Sequence, residues 1–164
     1  MRLKPNLSEQ ELLHKTAAYC STSEHCLSEV HEKLTAWGAA PDVIKRILKR
    51  LTTERFVDEE RYAKAFAKDK FRFSKWGKVK IRFALQQKKI NQLLIDDALE
   101  NLEMENYQEN LLEILIKKRK SIKDTDYQTL KGKLFRFAAS RGYETNLILQ
   151  TISKILSHDS DDME

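Results

Sequence analysis

Five positions recur three times along this 164-residue chain. Leu34, Gly38, Ile44, Leu48 and Leu51 reappear 51 positions on as Leu85, Lys89, Ile95, Leu99 and Leu102. A further 53 positions on they become Ala138, Gly142, Ile148, Ile152 and Ile155. Such a period points to tandem helical units that bury their apolar faces against neighbours, not to a catalytic fold built on a central sheet. With 4 Gly and 2 Pro, the chain also has too few turn residues for a many-stranded sandwich or barrel. The expected fold class is all-α: three tandem three-helix, helix-turn-helix-like repeats in an elongated, curved array.

Helix start signals fall where the repeat requires them. Ser8 with Glu11, Ser21 with Glu24, Asn106 with Glu109 and Thr125 with Gln128 each have the spacing of a cap and its reciprocal partner. Pro41 suits a first helical turn, and Asp58 and Asn91 suit N-caps. Gly38 and Gly142 occupy the position just past a helix, where a left-handed backbone costs little without a Cβ. The spacing predicts helices at about 9–20, 22–37 and 41–52, then 59–73, 76–88 and 92–103, then 107–119, 126–141 and 145–157. The expected units are therefore 9–52, 53–104 and 105–157, with an acidic disordered tail over 158–164. A unit of about 45 residues has a small core, so its neighbours must help stabilise it.

Charge separates the units. From Lys64 to Gln92 ten basic residues face a single acid, Asp69, a local net charge of +9 in a chain whose total is +5. Such segregation suits a polyanion or an acidic protein surface, and it marks the middle unit as the main binding unit. Arg61, Lys64, Lys68, Arg72 and Lys75 follow one another at helical steps, which places them on one face opposite Tyr62, Phe66 and Phe73. Lys78, Arg82 and Lys89 line the outer side of the next helix. These eight residues form the expected binding surface, as two basic stripes against phosphates or carboxylates. Lys45, Arg46, Lys49 and Arg50 make a secondary basic patch, open both to a recognition-helix reading and to that of a plain charged face. Lys117–Lys120 is a third cluster, for which a favourable place at a helix C-terminus is sufficient explanation. Phe71, Phe73 and Trp76 lie at the junction of two helices and are read mainly as core, with Phe71 the one of the three to face outward.

Other chemistry is not encoded in recognisable form. Cys20, His25, Cys26 and His31 lack the paired short spacings of structural zinc sites, so no metal is expected. Neither a nucleophile–base motif nor a phosphate-cradling glycine loop appears, and the expectation is no enzyme and no cofactor. No apolar run approaches the roughly 20 residues that span a bilayer, and Met1–Gln10 lacks the apolar stretch of a signal peptide. A cytoplasmic monomer without a membrane partner is expected.

The stretch Phe56-Val57-Asp58-Glu59-Glu60-Arg61-Tyr62-Ala63, followed by Phe66, Gly77-Lys78-Val79-Lys80-Ile81 and Leu85 to Lys88-Lys89-Ile90, resembles the RecX family of bacterial recombinase regulators. Arg141-Gly142-Tyr143 extends the resemblance into the third unit. The chain departs from the family pattern at Lys89, where a glycine is common, and at Gly77-Lys78, where Gly-Pro is common. The resemblance implies three three-helix units and no catalysis. It also implies binding to RecA recombinase filaments on DNA, with restraint of filament extension, strand exchange and ATPase in DNA repair and the SOS response. Direct contact with DNA would be weak and largely non-specific. A different class remains open: a tandem helix-turn-helix DNA-binding transcriptional or architectural protein that acts without a recombinase.

Overall fold

A computed structural model describes residues 6–123 and 126–161. Among them run α1 (Glu9–Thr22), α2 (Leu27–Ala36), α3 (Pro41–Thr53), α4 (Glu59–Arg72), α5 (Lys78–Gln87), α6 (Gln92–Glu100), α7 (Met104–Ser121), α8 (Tyr127–Ser140) and α9 (Thr145–Asp161), with no strand among the described residues. The principal helix–helix contacts join α1 to α3, α4 to α6 and α7 to α9 within themselves. The fold is all-α, built of three-helix units.

The repeat has a local cause at the end of each middle helix. Gly38 and Gly142 adopt φ of +83° and +91°, and Lys89 adopts +60° at the equivalent place. In all three units the same pair of hydrogen bonds closes the helix. Ala39 N–H donates to the Leu34 carbonyl, Ile90 to Leu85 and Tyr143 to Ala138, while Gly38, Lys89 and Gly142 donate to Thr35, Gln86 and Ala139. This is the Schellman closure, which wants a residue without a Cβ at its left-handed position. Lys89 accepts that conformation at a cost, so Lys89→Gly is expected to raise stability by about 1 kcal/mol, read as a shift of the denaturation midpoint.

The recurring apolar residues turn inward. Leu34, Leu85 and Ala138 are wholly buried, as are Ile95, Ile148 and Ile152. Leu85→Ala should cost about 2–5 kcal/mol in a melting experiment, since it opens a cavity between packed helices. An unchanged melting curve would remove Leu85 from the core.

Several start signals act as the spacing predicts. Ser8 and Glu11 form a reciprocal capping box, Asp58 accepts from Arg61 N–H at 3.0 Å, Asn91 accepts from Leu93 N–H at 2.8 Å, and Pro41 opens α3. Others do not. Ser21 and Thr22 fold their hydroxyls back onto the carbonyls of Ala17 and Tyr19, so they finish α1. The next helix starts six residues after Ser21, at Leu27, where Glu29 accepts from Cys26 N–H at 3.3 Å. Asn106 and Glu109 lie inside α7, which begins earlier, at Met104. Thr125 lies outside the described residues, and Asp126 caps α8 by accepting from both the N–H and the hydroxyl of Thr129. The backbone of α9 continues through Asp161, so the first part of the segment expected as a disordered tail is helical, and Asp162–Glu164 lie outside the described residues.

The cores do not follow the units one for one. Unit one has its own, centred on Leu12, Val30, Leu34, Ile47 and Leu51. Units two and three share a continuous core that runs from Ala63 and Ile81 through Tyr107 and Leu111 to Ile148 and Ile152. Cys26 is the residue of unit one that reaches into it. The junctions differ in the same way. Between units one and two they are polar: Glu59 accepts from Leu27 N–H at 2.6 Å, Ser28 donates to the Lys88 carbonyl at 2.8 Å, and Lys88 pairs with Glu29 at 3.8 Å. Burial at this joint pushes the Glu59 carboxyl above its ordinary range.

Between units two and three the backbones themselves touch. Gly77 N–H donates to the Arg141 carbonyl at 2.7 Å and Val79 N–H to the Gly142 carbonyl at 2.9 Å. A Cβ on Gly77 would lie 2.2 Å from the Gly142 oxygen. Tyr107 completes the joint, its hydroxyl accepting from Lys78 N–H at 3.0 Å and donating to Glu144 at 2.7 Å. Burial raises the Tyr107 hydroxyl well above its ordinary range and keeps it a neutral donor. Tyr143 adds a bond to the Lys75 carbonyl at 2.8 Å.

Candidate nucleic-acid and filament interface

The eight-residue basic surface does not exist as one ridge. α4 buries Tyr62, Ala63, Ala67 and Phe71, which leaves Lys64, Lys68 and Arg72 on its exposed side. These three line a groove of about 530 Å³ against the α6–α7 link, with Ala98, Asn101, Leu102, Glu103 and Asn106 on the far wall. Lys64 is already paired, with Glu60 at 2.9 Å and Asp97 at 3.4 Å, and the hydrogen bond it donates to Glu60 holds its ammonium above the ordinary range. Lys68 and Arg72 pair with no carboxylate among the described residues, so their charge remains available to a ligand. Arg72 also lies 5.7 Å from the centre of the Phe73 ring.

The other five point elsewhere. Arg61 turns toward unit one, pairing with Glu24 and donating to the Arg55 carbonyl. Lys75 reaches α7, where it donates to Asn110 at 3.1 Å and approaches Glu113 at 3.7 Å. Lys78 places its ammonium 5.3 Å from the centre of the Tyr107 ring. Arg82 pairs with Asp96 at 2.6 Å, and that bond holds the Asp96 carboxyl below its ordinary range. Lys89 lines a separate hollow with Leu27, Ser28 and His31. Helical steps fix the face from which a side chain leaves, but a lysine or arginine stem is long enough to bend toward an acid on another element. Those acids come from Glu24, Glu113 and Asp96, outside the helix on which the basic stripe was read.

The secondary patch is divided too. Arg46 pairs with Glu9 at 2.8 Å and with Asp42 at 3.3 Å, and Arg50 pairs with Glu54 at 3.1 Å, while Lys45 and Lys49 are exposed. The aromatic expectation reverses. Phe71 is buried and Phe73 is 76% exposed, because four-residue steps from Ala63 through Ala67 reach Phe71, and Phe73 comes just after the helix ends. Trp76 is half-buried between two ammonium groups, Lys70 at 4.7 Å and Lys80 at 4.5 Å from its ring centre. Neither lysine lies on the stripe. Their one sequence signal was membership of the +9 segment.

Cys26 is buried at the start of α2, Cys20 is half-buried, and burial raises both thiols above their ordinary range. His25 stacks on Tyr19 with ring centres 3.8 Å apart. Among the described residues no group of three or more His, Cys, Asp or Glu is placed to hold a metal, and no helix is long and apolar enough to cross a membrane.

Known proteins match both the sequence and the fold. The model of the second three-helix domain of RecX matches residues 58–99, and that of the third matches residues 105–152. The regulatory protein RecX of Clostridium beijerinckii is 35% identical over 136 residues, which cover 82% of this chain and 63% of that protein. The regulatory protein RecX of Prosthecochloris aestuarii is 26% identical over 149 residues, covering 91% of this chain and 96% of that protein. This chain thus spans a little under two thirds of the length of its clostridial relatives. In fold, it matches the crystal structure of RecX from Lactobacillus salivarius with a TM-score of 0.80 at 19% identity, over 89% of this chain and 95% of that one. A second crystal structure of regulatory protein RecX gives a TM-score of 0.82 at 20% identity, over 89% and 71%. With its second and third domains recognised over more than half of its length, this chain belongs to the RecX family.

Proposed function

We propose that this protein is a non-catalytic regulator that binds RecA recombinase filaments on DNA and restrains strand exchange, ATP turnover and filament extension in DNA repair and SOS regulation. The proposal places it in the cytoplasm as a monomer without a cofactor. The observation that carries the reading is the groove of Lys64, Lys68 and Arg72, open and cation-rich, in the middle unit of a RecX-family chain. Lys68 and Arg72 are its principal contacts with phosphate or with filament carboxylates. Arg61, Lys64, Lys75, Lys78, Arg82 and Lys89 contribute less, because each is already held by a partner or stands away from the groove. Lys45, Arg46, Lys49 and Arg50 extend the footprint on unit one, and several such weak contacts make the binding salt-sensitive.

Purified protein added to RecA strand-exchange and ATPase reactions at low salt should inhibit both. No inhibition at stoichiometric excess would overturn the proposal. Gel shifts without recombinase separate it from a DNA-binding transcriptional or architectural protein: weak, unselective shifts fit the regulator, whereas tight sequence-selective duplex binding fits the other class.

A further inference from the structure

Just past the end of α4, the Phe73 ring is 76% exposed. A lone apolar side chain at a protein surface is ordinary. The company of this one is not. The Arg72 guanidinium lies 5.7 Å from the centre of the Phe73 ring, and the same Arg72 lines the groove of Lys64 and Lys68. Phe73 itself also borders a second hollow, of about 490 Å³, with Tyr62, Phe66 and Lys70. Lys70 holds its ammonium 5.6 Å from the centre of Phe66 and 4.7 Å from that of Trp76, and Lys80 stands 4.5 Å from the same indole. Phe66 and Trp76 are thus half-buried and already face ammonium groups, whereas Phe73 keeps most of its ring open. Lys68, Lys70, Arg72 and Lys80 pair with no carboxylate among the described residues.

The acids around Phe73 give the site a direction. Glu24, Glu29 and Asp69 line the second hollow beside the ring. They repel a phosphate but admit an uncharged ring, while Lys68 and Arg72 attract the phosphate on the groove side. A ligand with a flat apolar face and an anion close beside it fits this layout, and a nucleotide has both on one sugar. In a duplex both faces of a base are already stacked, so only an unpaired nucleotide can offer one to Phe73.

We propose that Phe73 is a stacking platform for an unpaired base of single-stranded DNA whose phosphate is held by Arg72 and Lys68. The inference rests on the Lys68–Arg72 groove as the anion contact of the proposed function, and it gives that groove a preference for single strands over duplex. Every base has a face to stack, so the contact remains unselective in sequence.

The test is fluorescence anisotropy of the full chain with a labelled single strand of mixed sequence, and with its duplex, across a salt series. Phe73→Ala should weaken single-strand binding about fivefold or more and leave duplex binding within twofold of the parent. The log–log salt slope should not change, because stacking releases no counterion. Arg72→Gln should instead flatten that slope by about 0.7, the share of one phosphate contact. Phe73→Leu, which keeps apolar bulk without a flat face, should behave as Phe73→Ala, and it decides the matter if the alanine variant does not fold. Phe73→Trp should retain binding. Parental single-strand affinity in a folded Phe73→Ala or Phe73→Leu variant, equal losses on single strand and duplex, or no measurable binding of the parent to single strands at low salt would each overturn the site. Lost binding to preassembled RecA filaments with parental single-strand binding would overturn it too, since a protein would then cover the ring. Single-strand binding that depends on Phe73, in a parent protein that fails to inhibit RecA, would keep the site and discard the proposed function.

Discussion

Lys68→Glu combined with Arg72→Glu is expected to weaken binding to RecA filaments by about tenfold or more at low salt, with the difference shrinking as salt rises. The two side chains line one open groove and have no carboxylate partner among the described residues, so reversing them breaks no internal ion pair. Helical content and melting midpoint should therefore stay near those of the parent. Arg61→Glu supplies the contrast. Its partner Glu24 belongs to unit one, and reversal sets two acids against each other across the unit-one joint. Arg61→Glu should lower stability as well as binding. Equal loss of fold and binding in the Lys68–Arg72 variant would make those positions structural and move the contact elsewhere.

The largest stability effect of a single methyl group is expected at the joint between units two and three. A Cβ at Gly142 would lie 2.5 Å from the Lys80 backbone nitrogen and 2.3 Å from the Lys80 Cβ, at a residue whose φ of +91° already disfavours a side chain. Gly142→Ala should cost about 2–4 kcal/mol, the sum of left-handed strain and forced separation of two backbones. Gly38→Ala is an internal control. Its φ is +83° but its Cβ would meet nothing within 4 Å, so only the strain of about 1 kcal/mol applies. Urea denaturation of both variants measures the difference. Equal costs would mean that the joint relaxes freely, contrary to the direct bonds of Gly77 and Val79 to the α8–α9 turn.

Much of the fold was legible because its signals are local. The helical steps of Leu34, Ile44 and Leu51, the left-handed turns at Gly38 and Gly142, and the caps at Ser8, Asp58 and Asn91 each involve residues only a few positions apart. Lys89 was legible on the same ground, as a residue forced into a turn that its counterparts fill with glycine. The caps that failed were also informative. Ser21 had an equally good local alternative in the carbonyl of Ala17, and a hydroxyl that can finish one helix need not start the next.

The proposed binding surface was only half legible. The excess of positive charge in the middle unit follows from composition along the chain, and Lys64, Lys68 and Arg72 do share a groove. Which cations remain available depends on acids brought from Glu24, Asp96 and Glu113 by folding, and on the reach of each stem.

Sequence alone determined the helices, their grouping in threes and the unit that carries the charge, because backbone hydrogen bonding and apolar periodicity are settled within a few turns. Tertiary structure alone decided that units two and three share a core while unit one joins through polar contacts around the buried Cys26, and which cations are left without a carboxylate partner among the described residues. Burial and Coulomb pairing depend on distances through space, which a chain acquires only once its distant segments have met.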